Sequence, residues 1–235
     1  MFCRTCRGPV GAGYARCYQC GLALSQAGGL LADAVAPVGF AVRGGPLAGD
    51  LIRYKSASAE GAPEAAARLR ARLARFLRDD GGALWREAGM SAGPSAVAVV
   101  PSGQGRSGPH PLSGIVRSCL DLPVVTLSLV PEVIHSRGVD VDWLRVTGSV
   151  AGADLLVVDD TWVSGGSAQS AAAALKLAGA RRVAIVVLGR HINPADPLSA
   201  RFLDALGGQK TGEKFLPGLS PRAARLRLGD EQQDR

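Results

Sequence analysis

The chain has 235 residues, 47% of them hydrophobic and 20% charged, with a formal net charge of +7. That length suits one α/β domain with a sizeable core and a small appendage, and no apolar run approaches the roughly 18 residues that a membrane span needs. The N-terminus, Met1-Phe2-Cys3-Arg4, opens into a motif and not a signal peptide, so the expected location is cytoplasmic.

The first elements are cysteine pairs. Cys3-x2-Cys6 and Cys17-x2-Cys20 are separated by ten residues. Each pair can chelate through one tight turn, and four thiolates make a closed tetrahedral zinc site. Gly8 and Gly21 sit where a knuckle turn can use a positive φ. The alternative, a disulfide pair, is disfavoured in a reducing compartment. The reading is therefore structural zinc on Cys3, Cys6, Cys17 and Cys20, without a catalytic role. Cys119, the fifth cysteine, stands in an apolar helical context and reads as a buried, inert thiol.

From Leu22 to Val42 the chain is rich in alanine and glycine and reads as a linker, followed by a strand around Gly39 to Arg43. Leu47, Leu51 and Ile52 have helical spacing, which predicts a short helix over Leu47 to Arg53. Pro63 opens an amphipathic helix to Asp79, with Leu69, Leu73, Phe76 and Leu77 on one face and Arg68, Arg72 and Arg75 on another. That arginine row can track a nucleic-acid backbone. No interleaved aromatics accompany it, so a solvated face is the favoured reading. Ser95 to Val100 predicts a buried strand that runs out into Pro101-Ser102-Gly103. Leu112 to Leu120 follows as a helix, Val124 to Leu129 as a strand, and Arg182 to Leu188 as another strand before Gly189-Arg190-His191. His191 reads as a structural loop residue in preference to a base.

The stretch Asp154 to Ser170 carries the chemistry. Leu155 to Val158 is an uninterrupted branched apolar run, suited to a strand buried on both faces. Asp159 and Asp160 follow, then a loop of small and hydroxylated residues, Val163 to Ser167, then an alanine-rich helix over Ser170 to Leu177. A helix start offers unpaired N–H groups and the positive end of a dipole, a ready anion site. Gly165 and Gly166 let backbone approach a phosphate, while Ser164 and Ser167 add hydroxyl donors. Carboxylates suit a vicinal diol or the waters of a bound magnesium. Because successive strand side chains point to opposite faces, the pair serves one ligand only where the strand ends. A diol at the acids and a phosphate at the loop describe a 5-phosphorylated ribose. The bland alternative is a strand end followed by a helix cap with no ligand.

Val157-Val158-Asp159-Asp160-Thr161-Trp162-Val163-Ser164-Gly165-Gly166-Ser167 resembles, without a gap, the phosphoribosyl-diphosphate (PRPP) signature of type I phosphoribosyltransferases. Val163 departs from it, standing where that family has a first hydroxyl. The cysteine knuckle, the Gly45-Pro46 turn, the short helix and the Tyr54-Lys55 pair, taken with the signature, are similar to the ComF subgroup: a zinc-finger domain plus a PRPP-binding domain. In that subgroup the pair is in the order Lys-Tyr and the turn carries an aromatic.

The resemblance implies a fold, a site and partners. The fold is α/β, a mainly parallel sheet flanked by helices with a small N-terminal four-cysteine zinc knuckle. It divides the chain into a knuckle (1–25), a linker and first strand (26–46), a phosphoribosyltransferase-like domain (47–208) and a mobile tail (209–235). Asp159 and Asp160 would take the ribose diol and magnesium waters, and Val163, Ser164, Gly165, Gly166 and Ser167 the 5-phosphate. Pro101, Ser102 and Gly103 would hold pyrophosphate. The family's basic loop is reduced to Arg106 and His110, and its flexible catalytic loop, Pro131 to Gly152 here, retains only Arg137 and Arg145. The implied activity is transfer of 5-phosphoribosyl to a nitrogenous acceptor with release of pyrophosphate, a glycosyltransferase reaction using magnesium-bound PRPP. The alternative is a non-catalytic, competence-associated protein that binds PRPP or a nucleotide as a ligand, or uses the knuckle and basic surface on single-stranded DNA.

Overall fold

The computed structural model describes residues 2–56, 58–102, 110–133 and 138–207. Gly103, Arg106, Arg137 and the expected tail from residue 209 lie outside these. Its centre is a seven-stranded sheet. In chain order the strands are β1 (Ala34–Pro37), β2 (Phe40–Val42), β3 (Ala96–Val99), β4 (Val124–Leu129), β5 (Leu144–Thr147), β6 (Asp154–Trp162) and β7 (Arg182–Ile192). The spatial order is β1-β7-β6-β3-β4-β5, with β2 pairing β7. All pairings are parallel except β4 with β5, which is antiparallel at one edge.

Helices cover both faces, as a doubly buried parallel sheet requires. Leu156, Val158, Ala184, Val186 and Leu188 face one layer, built on α2 (Pro46–Arg53), α3 (Ala62–Asp79), α4 (Gly81–Glu87) and α5 (Pro111–Cys119). Leu155, Val157, Val183, Ile185 and Val187 face the other, which holds α6 (Gly166–Leu177) and, in the same apolar cluster, Cys3, Cys6 and Cys20. The period of two along β6 and β7 thus splits one sheet between two cores.

Several expectations are met and several corrected. The short helix before Tyr54, the arginine-bearing helix and the strands at 96–99 and 124–129 stand where the patterning predicts them. The stretch read as a linker is largely ordered: α1 (Tyr18–Ala27), a 3-10 turn (Gly28–Leu30) and β1 occupy it. α1 and the 3-10 turn pack on α6, whose buried residues are mostly small, five of the nine being alanine. Gln169 Oε1 accepts from the Ala32 amide at 2.9 Å, and Lys176 pairs with Asp33 at 3.1 Å. The segment compared with a flexible loop contains β5. The helix α7 (Pro197–Ala205), capped by Asp196 on the Ser199 amide, extends the fold beyond the last expected strand. Gly8 and Gly21 do not adopt positive φ; Arg7 does, at 58°. Cys119 is half-buried at the end of α5, with Sγ 3.6 Å from the Arg70 carbonyl, and burial raises its thiol pKa. No helix among the described residues is long and apolar enough to cross a membrane.

The chain passes from β3 through α5 to β4 on one side, then returns to β6 on the other and continues through α6 to β7. The winding direction therefore reverses between β3 and β6. In open α/β sheets, the crevice beyond the carboxyl ends of two such strands is where ligands bind.

Candidate functional site

A cleft of about 970 Å³ opens at that crevice, and its walls include Asp159, Asp160, Thr161, Val163, Ser167, Pro101, Ser102 and His110. Residues from the acid pair, the small-residue loop and the turn after β3 thus share one cavity. Ser164, Gly165 and Gly166 are not among its walls.

The acids do not end their strand, as the pattern predicted; β6 continues to Trp162. What ends is the neighbour. β3 stops at Val99, and the Val100 amide gives a last bond to the Val158 carbonyl at 3.0 Å. From Asp159 onward β6 keeps β7 on one side and meets the cleft on the other. The Asp160 amide, with no β3 partner, donates to Asp159 Oδ1 at 2.8 Å. Two residues that a strand would send to opposite faces therefore both border one cavity.

Their electrostatics differ. Burial, reinforced by the charge of Asp160, pushes the Asp159 carboxyl up to about 7. Asp160 is buried too, which opposes ionisation, but the Lys55 ammonium and the Tyr54 hydroxyl outweigh that and hold it below the ordinary carboxylate value. Lys55 Nζ lies 2.7 Å and Tyr54 Oη 2.6 Å from Asp160 Oδ2, with His110 Nε2 at 3.7 Å. The pair is thus one fixed anion already matched to a cation, and one carboxyl that titrates near neutrality. Two carboxyls set apart in this way present an acceptor for diol hydroxyls or metal-bound water.

The loop is built by contact with Trp162. Gly165 has φ 87°, and a Cβ there would lie 2.1 Å from the Trp162 ring. Glycine is required at this position for backbone and space alike. Gly165 precedes α6, so the helix start at Gly166 lies at the loop, and Ser164 Oγ turns back to accept from the Gly166 amide at 3.3 Å. Val163, in the position where a hydroxyl was compared, is 61% exposed at the cleft and offers no side-chain donor.

Arg190, Tyr54 and Lys55 were given no role from the sequence. Arg190 is buried, and its Nη1 donates to the carbonyls of Trp162, Val163 and His191 at 3.0, 3.0 and 2.9 Å. A lone arginine at the end of an apolar strand was the available signal. His191, read as a loop residue, belongs to β7 and lines the cleft; burial and the charges of Arg190 and Arg43 lower its pKa. Arg145 lies on β5 and is not a cleft wall.

The four cysteines converge as expected, their Sγ atoms all within 4.8 Å of one another. Tetrahedral coordination at the usual Zn–S length of about 2.3 Å implies sulfur separations of about 3.8 Å; Cys6 and Cys17 are 3.8 Å apart. Hydrogen bonds among the thiols, chiefly Cys17 to Cys3 and Cys20 to Cys17, pull Cys3 far down and Cys17 to about 6, and the same bonds push Cys6 and Cys20 up. The donor set fits a divalent, thiophilic metal such as zinc.

No protein-family model matches the sequence, and no curated protein does. Similar solved structures include a phosphoribosylpyrophosphate synthetase from Mycobacterium smegmatis, 24% identical with a TM-score of 0.29. An adenine phosphoribosyltransferase from Leishmania tarentolae is 18% identical (TM-score 0.38), and a purine phosphoribosyltransferase from Pyrococcus horikoshii 16% (TM-score 0.35). The matches cover 45%, 63% and 56% of this chain, and 31%, 66% and 88% of the respective structures.

Proposed function

We propose that the chain is a PRPP-binding, phosphoribosyltransferase-like protein of the ComF type. The observation that carries this reading is the common cavity: Asp159, Asp160, Val163, Ser167, Pro101 and Ser102 border one cleft at the reversal point of a parallel sheet. Asp159 and Asp160 take the ribose diol and the waters of a magnesium ion that accompanies the diphosphate. The loop from Val163 to Ser167 takes the 5-phosphate through its amides and the start of α6, and Pro101, Ser102 and Gly103 take pyrophosphate. Where transfer occurs, the bond from C1 to pyrophosphate breaks as a nitrogen acceptor bonds to C1. This chain contributes positioning and charge stabilisation in place of a protein nucleophile.

A non-catalytic ligand-binding role is the second reading, and two observations favour it. Val163 presents an apolar, exposed surface in the phosphate loop, and Asp160 is already engaged by Lys55 and Tyr54. Single-stranded DNA belongs to this second reading.

Thermal shift with PRPP and magnesium, on the wild type and an Asp159→Asn, Asp160→Asn double variant, tests both readings. Stabilisation of the wild type alone supports the site, and release of pyrophosphate with any amine or base then selects the enzyme. Stabilisation of neither protein removes enzyme and ligand-binding readings together. Binding to single-stranded DNA that weakens with salt and ignores PRPP would instead favour the DNA role.

A further inference from the structure

Arg190 stands between the cysteine cluster and the phosphate loop, and it touches both. On one side its Nη1 holds the carbonyls of Trp162 and Val163, each at 3.0 Å. In a trans peptide the carbonyl and the following N–H point in opposite directions. Gripping those two oxygens therefore aims the amides of Val163 and Ser164 away from the guanidinium. On the other side the guanidinium lies against Gly8, where a Cβ would come 2.8 Å from Nε and 3.2 Å from Cζ. Gly8 is buried, and its carbonyl accepts from the Cys3 amide at 2.8 Å, closing the first cysteine turn. Its glycine serves close approach and not a positive φ.

The charge balance points the same way. Arg190 has no carboxylate partner among the described residues, and its buried Nε has no hydrogen-bond acceptor. A buried cation without a counter-charge is costly. Four thiolates around a divalent ion carry a net charge of about −2, directly behind Gly8.

We propose that Arg190 is a positioning residue that couples metal occupancy of the cysteine cluster to the shape of the Val163–Ser167 loop, so that metal and sugar phosphate bind with positive cooperativity. The phosphate half rests on the reading given under Proposed function; the coupling of cluster to loop does not. Metal loading holds the Cys3–Gly8 turn in place and supplies the counter-charge, Arg190 is pinned, and the loop carbonyls are pinned with it. Thermodynamic linkage makes the effect reciprocal.

The test uses the full chain, zinc-loaded and chelator-stripped, as wild type, Arg190→Met, Arg190→Lys and Gly8→Ala. Amide hydrogen exchange of residues 163–167 is read without ligand. Titration with ribose 5-phosphate is read in both metal states, and zinc affinity by competition with a chromophoric chelator with and without ribose 5-phosphate. In the wild type, zinc is expected to slow exchange in the loop and to tighten ribose 5-phosphate binding about 5- to 50-fold, with the same factor for the reverse effect. Arg190→Met is expected to bind one zinc and keep its circular dichroism while the factor falls to about one. Arg190→Lys, with one nitrogen in place of a planar fork, is expected to retain little of it, and Gly8→Ala to weaken it from the knuckle side. Loop exchange that ignores zinc in the wild type, or coupling undiminished in Arg190→Met, overturns the proposal. Zinc-sensitive exchange without ribose 5-phosphate binding keeps the coupling and overturns the phosphate reading instead.

Discussion

Replacing Asp159 by asparagine should stabilise the folded chain at alkaline pH and, on the function proposed above, weaken the binding of PRPP. The folded carboxyl sits near 7 because burial and Asp160 oppose its charge. The unfolded carboxyl titrates near its ordinary value of about 3.9. Below pH 4 both states hold the proton and there is no penalty. Between about 4 and 7 the unfolded chain releases its proton while the folded chain retains it, so stability falls as pH rises. Above 7 both are ionised and the penalty is constant. A separation of this size has a ceiling of about 4 kcal/mol. Water in the open cleft reduces it, and about 2 kcal/mol is expected. At about 2 to 4 °C per kcal/mol for a chain of this size, that is a melting difference of about 4 to 8 °C. Asparagine is neutral throughout. Melting curves of wild type and Asp159→Asn, followed by circular dichroism at pH 5, 6, 7 and 8, should diverge in favour of the variant as pH rises. A difference that is the same at pH 5 and pH 8, or a wild type that is the more stable at pH 8, refutes the account of this carboxyl.

Three other outcomes follow from the same geometry. Tyr54→Phe removes a donor to an ionised acceptor and should cost about 1.5 to 3 kcal/mol in urea unfolding at pH 7. Because Asp160 is held below the ordinary carboxylate value, that cost should be fully present above pH 4 and shrink as pH falls below it. Gly165→Ala forces a left-handed φ on a residue whose Cβ would strike Trp162, and should cost about 2 to 5 kcal/mol by thermal melting. Gly152→Ala, at φ 70° with open space around it, should cost only about 1 kcal/mol. Native mass spectrometry should find one zinc per chain, and Cys17→Ser should lose it together with part of the melting temperature, since three sulfurs leave the tetrahedron incomplete.

Much of this was legible in the residues. The apolar run Leu155 to Val158 and the strand over Val124 to Leu129 declare themselves by branched side chains, and the cysteine spacing declares its own convergence. The linker reading failed because alanine and glycine between Leu22 and Ala32 look unpatterned until the partner is known. Those residues cover α6, itself an alanine helix, and two small-residue surfaces that pack on each other show no amphipathic stripe. The edge strand β5 does alternate, Leu144 and Val146 inward and Arg145 and Thr147 outward, as an edge strand covered on one face allows; it was missed because the resemblance assigned the whole of Pro131 to Gly152 to a flexible loop.

The hardest feature to read was the change of face along β6 and β7. Up to Val158 and Leu188 the period of two holds, with even-numbered residues facing α2 and α3. The ladder then lapses where Asp160 would face Leu188, and pairing resumes at Thr161 with Gly189. Beyond that point Trp162 packs with the cysteine-side core and Arg190 reaches Gly8, although strict alternation would send both the other way. Both strands turn together, so the register offset survives while the faces exchange. Asp160 keeps to the α2 side, against Tyr54 and Lys55, while the turn after it brings Trp162 beneath the glycine loop and carries Arg190 to the cysteines. A strand of uniform twist would have left that arginine on the helical side, where Leu47 and Leu51 pack, with no contact to the knuckle. The position of the cysteine cluster relative to the loop therefore depends on a two-strand irregularity at one residue pair, and it is there that substitutions remote from either should alter both.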